Sequence, residues 1–151
     1  KIDKKDYPDL SPYQVEVSMS VSYSSPEILS IKAAYYSYSG GAHGNMTTKY
    51  LNFNPQTGNL FTPSSLFENK KGFTDLAEQL FRKENKISIT ENINSTGYWF
   101  DKDTFYLPDS IGFSETGILL IYNQYEIASY ADGPIELLIP LEKALPFLKV
   151  K

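Results

Sequence analysis

A chain of 151 residues with net charge −4, 21% charged and 41% apolar residues, can bury one core and is too hydrophobic for wholesale disorder. It has no cysteine, which removes disulfides, thiolate metal sites and a cysteine nucleophile. It also lacks a basic cluster, which removes the usual footprint of a nucleic-acid binder. No apolar run approaches the roughly 18 residues of a membrane span, so any membrane attachment is expected only through an anchor outside these residues.

Residues 1–12, charged and carrying Pro8 and Pro12, read as a tail or linker, and residues 13–151 as a single domain. Its 12 Tyr and 9 Phe favour strands, because aromatic rings suit half-buried pleated surfaces. Val15, Val17, Met19, Val21 and Tyr23 alternate with polar residues and predict a strand with one face on a core. After Ser24-Ser25-Pro26, Leu29, Ile31, Ala33 and Tyr35 predict its antiparallel hairpin partner. Gly40, Gly41 and Gly44 surround His43 in a tight loop, and Thr47 to Phe53 returns as a strand. Asn54 to Gly58 is a turn, and Asn59 to Phe61 a brief continuation of the strand.

Thr62 and Pro63 predict a capped helical turn reaching Phe67. Phe73, Leu76, Ala77, Leu80 and Phe81 fall at i, i+3, i+4, i+7 and i+8, predicting an amphipathic helix over roughly Gly72 to Asn85 that lies across a sheet. Tyr98-Trp99-Phe100 reads as an aromatic plug over a loop, and Thr104 to Leu107 as a short strand. Pro140 opens a short C-terminal helix that Pro146 ends. These elements amount to an α+β domain: an antiparallel sheet with one main helix on a face.

The stretch Gly117 to Ile139 organises the chain. Ile118 to Ile121 reads as a strand covered on both faces, and Ile135, Leu137 and Ile139 as one with a wetter face. Between them Tyr122 to Pro134 carries Tyr122, Tyr125, Glu126, Tyr130 and Asp132. Two readings of the tyrosines are open: wall residues with wet hydroxyls, or low-entropy anchors of a protein-binding loop. Tyr130, between Ser129 and Ala131-Asp132-Gly133, is expected to be the most exposed.

Catalytic and metal chemistry find less support. His43 is the one histidine, without metal-ligand spacing and without the G-x-S-x-G turn of a serine hydrolase, so no catalytic residue, metal or cofactor is expected. Asp101, Asp103, Asp109 and Glu115 would suit a carbohydrate-acting hydrolase only if two of them shared a cleft.

Two stretches, Tyr38-Ser39-Gly40-Gly41-Ala42-His43-Gly44 and Tyr122 to Pro134, carry a resemblance to a bacterial family, as do Asn52 to Gly58 followed by Leu66-Phe67. The chain resembles, from about Tyr13 to Leu148, the extracytoplasmic C-terminal domain shared by the anti-sigma factor RsiV and the peptidoglycan deacetylase PdaC. Ser129 stands where proline is common in that family, a change expected to loosen the loop. The resemblance implies an exported α+β domain, often on a lipoprotein or single-span protein, and lysozyme as a partner in the RsiV branch. It implies no deacetylase chemistry, which belongs to a separate domain with an Asp and His set that one histidine cannot supply. The expected function is a non-catalytic binding or sensing module for lysozyme or another cell-wall-related ligand, with His43, Tyr122, Tyr125, Glu126, Tyr130 and Asp132 as its contact residues. The alternatives are the hydrolase and an accessory domain that packs on an N-terminal module, the latter favoured by exposed apolar patches.

Overall fold

A computed structural model of the chain describes residues 13–150, so the tail read over residues 1–12 lies outside the described residues. The fold is α+β, with the expected antiparallel strands, main helix and short C-terminal helix. The strands divide into two three-stranded sheets, β1(Gln14–Ser24)-β2(Leu29–Tyr38)-β3(Asn45–Phe53) and β4(Ser110–Phe113)-β5(Gly117–Tyr122)-β6(Ile135–Pro140). All neighbouring strands are antiparallel.

The core belongs to the second sheet. Helix α1 is the turn Pro63–Leu66, begun by a capping box in which Thr62 and Ser65 satisfy each other's backbone. Helix α2, Lys70–Glu84, starts where Asn69 accepts the Gly72 N–H, and turns Phe73, Ala77 and Phe81 inward. Those residues meet Ile118, Leu120 and Tyr122 of β5 and Leu137 and Ile139 of β6. Phe81 lies at the middle of an aromatic cluster, with ring centroids 4.9 Å from Tyr98, 5.3 Å from Phe100 and 5.6 Å from Phe105. The aromatic plug is therefore real. Phe100 is buried and the Trp99 N–H donates to Ile127 O at 3.0 Å, pinning the plug to the crossing between β5 and β6. After β6 come α3, Leu141–Ala144, and a 3-10 turn through Phe147.

The first sheet adjoins the second through side chains rather than a backbone ladder. Tyr50 N donates to Ser110 Oγ at 3.2 Å, Asn52 Nδ2 to Ile111 O at 2.7 Å, and Phe113 N to Ser30 Oγ at 3.1 Å. Ser30 pairs across the strands with Asn52, and Lys32 with Tyr50, so these residues share the inner face. The apolar face of β1 expected to meet the core is accordingly the outer one, and from Gln14 to Val21 both faces of the strand are exposed. Val15, Val17, Met19 and Val21 of β1 pair with Ser37, Tyr35, Ala33 and Ile31 of β2 on the outer face and remain 57–65% exposed. Period two identifies a strand with two unlike faces, but not which face meets the core. Tyr23 departs from this stripe: a register shift between Val21 and Tyr23 sets it opposite Ser30, where its ring stacks on Phe113.

Two smaller expectations fail. Residues 104–107 form no strand, and Asn59 to Phe61 contributes one isolated bridge, Phe53 to Leu60. In the first, Phe105 is drawn into the aromatic cluster, and packing overrides a weak extended preference.

Candidate functional site

The His43 loop and the Tyr122–Asp132 crossing meet at one surface, Tyr130 reaching Gly44 across 86 positions of sequence. The His43 and Tyr130 rings stack with centroids 3.7 Å apart and planes 20° from parallel. The Tyr130 hydroxyl donates to Gly44 O at 2.9 Å, and His43 Nδ1 lies 3.0 Å from the same carbonyl. Gly44 lies close under Tyr36: a Cβ there would come within 2.4 Å of that ring, so a larger residue would have to displace it. Tyr38 closes the other side of the loop, its hydroxyl donating to Gly41 O at 3.0 Å.

Tyr125 extends the ridge, its ring 5.7 Å from that of Tyr130. It is 58% exposed, whereas Tyr130 is half-buried, so the most exposed tyrosine of the crossing is Tyr125 and not Tyr130. Its φ of 68° lies in the left-handed region, where a bulky side chain is strained.

Tyr122 leaves the set of contact residues. It is completely buried among Phe81, Phe100 and Tyr106, its hydroxyl donating to Tyr106 O. Burial raises the phenol far above its ordinary range. As the last residue of β5 it still follows the inward alternation of Ile118 and Leu120, and that parity was the signal available in the sequence.

Glu126 is half-buried beneath the ridge. Its Oε2 accepts the Asn123 N–H at 2.9 Å, and its own N–H donates to Asn123 O at 3.0 Å. Burial raises its pKa above 4.5, the Asn123 hydrogen bond opposes the rise, and Asp109 adds to it.

Asp132 is exposed, but its carboxylate is already engaged. It accepts from Ser129 N at 3.0 Å and from Ser129 Oγ, forming a capping box around the turn Tyr130–Asp132. Ser129 thus supplies an N–H and a hydroxyl to this turn, neither of which a proline at that position could donate.

Asn123 is the residue sequence reasoning passed over. Its side chain joins the crossing to β3, accepting Thr48 N at 2.7 Å and donating to Thr48 O at 3.1 Å. A lone asparagine after a strand reads as a turn residue, and nothing local shows a partner 75 positions away.

Of the carboxylates weighed for hydrolase work, two lie near Glu126: burial raises the Tyr106 phenol, and Glu126, Asp101 and Asp109 add to that rise. Asp103 is held locally, accepting from Asn94 Nδ2 at 2.8 Å. Among the described residues, no group of three or more His, Asp and Glu side chains is placed to hold a metal ion. No helix among them is long and apolar enough to cross a membrane.

What the ridge offers is contact chemistry: an aromatic stack with His43 and Tyr125 exposed and Tyr130 half-buried between them, set on hydrogen-bonded loops. The chain belongs to the DUF3298 family of proteins of unknown function, whose model matches residues 58–142. A second family model, described as Deacetylase PdaC, matches residues 1–46. Among solved structures the chain is similar to a DUF3298 family member from Bacteroides fragilis, with TM-score 0.78 and 26% identity over 97% of this chain. A DUF3298 family protein from Pseudomonas aeruginosa shares the fold, with TM-score 0.71 and 18% identity, again over 97% of this chain. The chain spans 59% of the length of the first of these and 67% of the second. A comparison with curated proteins found no match.

Proposed function

We propose that this chain is a non-catalytic binding module of the bacterial cell envelope, and that its contact surface is the ridge of His43, Tyr130 and Tyr125. The observation that carries the reading is Tyr125: an exposed aromatic ring held at positive φ against a stacked pair. A strained, exposed ring has no role in the core, and tyrosines are favoured anchors of protein interfaces. Location outside the cytoplasm follows the resemblance and is supported by the match to the PdaC model.

The ligand proposed is a cationic muramidase of the lysozyme type. A chain of net charge −4 attracts such a partner in a salt-dependent way, and the exposed Tyr125 ring supplies an anchor. Calorimetric titration with a C-type lysozyme, at low and at physiological salt, tests this. Micromolar or tighter binding is expected, weaker at the higher salt, and reduced roughly tenfold or more in Tyr125→Gly, which removes both ring and strain. No heat at either salt, or equal affinity in Tyr125→Gly, would overturn the assignment.

A further inference from the structure

The outer face of the β1–β2–β3 sheet is used by neither the core nor the ridge. Val15, Val17, Met19 and Val21 stand in one row on β1, beside Tyr35, Ala33 and Ile31 on β2. Thr47, Lys49 and Leu51 continue that face on β3. The row on β1 is 57–65% exposed and Tyr35 is 44% exposed. Side chains of this size gathered on one flat face exceed the scattered apolar exposure normal for a protein surface. A sheet that is apolar on a face ordinarily buries it against a second layer.

We propose that this face is an interface with a second copy of the same chain, the two sheets packing face to face about a two-fold axis. Three properties of the face favour that occupant. It carries no acidic group, and Lys49, at its β3 margin, is its one charge, so the face has no pattern of charges demanding an unlike partner. With the two-fold axis running along β2, each β1 row lies over β3 of the other copy. The two Lys49 ammonium groups then stand at opposite margins, free of mutual repulsion. The area is also adequate. Exposure of these side chains corresponds to roughly 600 Å² on each copy, about 1,200 Å² for the pair, the lower end of specific interfaces.

Sedimentation velocity of the chain from about 1 to 500 µM provides the test. A reversible monomer–dimer transition in that range is expected. The double variant Val17→Thr, Met19→Thr keeps β-branched residues on β1, so the strand survives while the face loses apolar area. It should shift the midpoint to at least roughly tenfold higher concentration with an unchanged circular dichroism spectrum. Isotope-filtered NMR on a mixed sample should show contacts from Val17 and Met19 methyls of one copy to Thr47 and Leu51 of the other. A chain that stays monomeric throughout overturns the proposal, and binding of an apolar dye to that monomer would mark the face as the seat of another polypeptide. Intermolecular contacts confined to the β1 backbone would overturn it in favour of edge pairing. Lysozyme titration of the same double variant separates this surface from the ridge, because its affinity should not change.

Discussion

The side-chain amide of Asn123 takes up both backbone groups of Thr48, accepting its N–H at 2.7 Å and donating to its carbonyl at 3.1 Å. A primary amide presents the same donor and acceptor as a peptide group, so Asn123 acts as one extra rung on the free side of β3. It ties the crossing after β5 to the strand that follows the His43 loop, and so sets the spacing of the ridge.

Replacing Asn123 by Ala should therefore cost about 2 kcal/mol, two hydrogen bonds with Thr48 left to water. Chemical denaturation measures the loss. Amide exchange should accelerate at Thr48 and its neighbours more than in α2, because the rung is local to the junction between the sheets.

Gly117 opens β5 with no room for a side chain. A Cβ there would lie 2.1 Å from Ile139 O, a backbone atom of the paired strand. Gly117→Ala is expected to destabilise by more than about 3 kcal/mol, since a ladder carbonyl cannot swing aside as a side chain does. Soluble yield and melting temperature report it.

Glu126 makes stability depend on pH in the less usual direction for a carboxyl. Its folded pKa is raised by burial, so between 4.5 and that higher value the folded state holds more protons than the unfolded one. Stability therefore falls as pH rises through this window and levels off above it. Glu126→Gln keeps an oxygen for the Asn123 N–H while removing the charge. It should melt at a higher temperature than the parent at pH 7, with the difference vanishing near pH 4. A constant difference across that range would assign the effect to packing instead.

Tyr130→Phe keeps the stack on His43 and removes the hydroxyl that donates to Gly44 O. Because His43 Nδ1 stands near the same carbonyl, the loss should be modest, about 0.5–1 kcal/mol. Exchange at residues 43–45 should rise in the variant. No change there would separate the two loops in energy even though they touch.

The amino-acid sequence by itself determined the local elements of this protein. The stripe from Phe73 to Phe81 specified α2, alternation specified β1 and β2, Thr62-Pro63 specified the α1 turn, and the two apolar runs within Gly117 to Ile139 specified β5 and β6. Each rests on periodicity or capping that acts within a few residues. Only the tertiary structure decided that both faces of β1 stay in water from Gln14 to Val21, why Tyr23 turns inward, and why Tyr125 rather than Tyr130 is the exposed ring. It also decided that His43 and Tyr130 share one stack. These rest on contacts such as Tyr130 to Gly44 across 86 positions and Phe113 to Ser30 across 83, and no local pattern encodes a choice between faces that are alike in period.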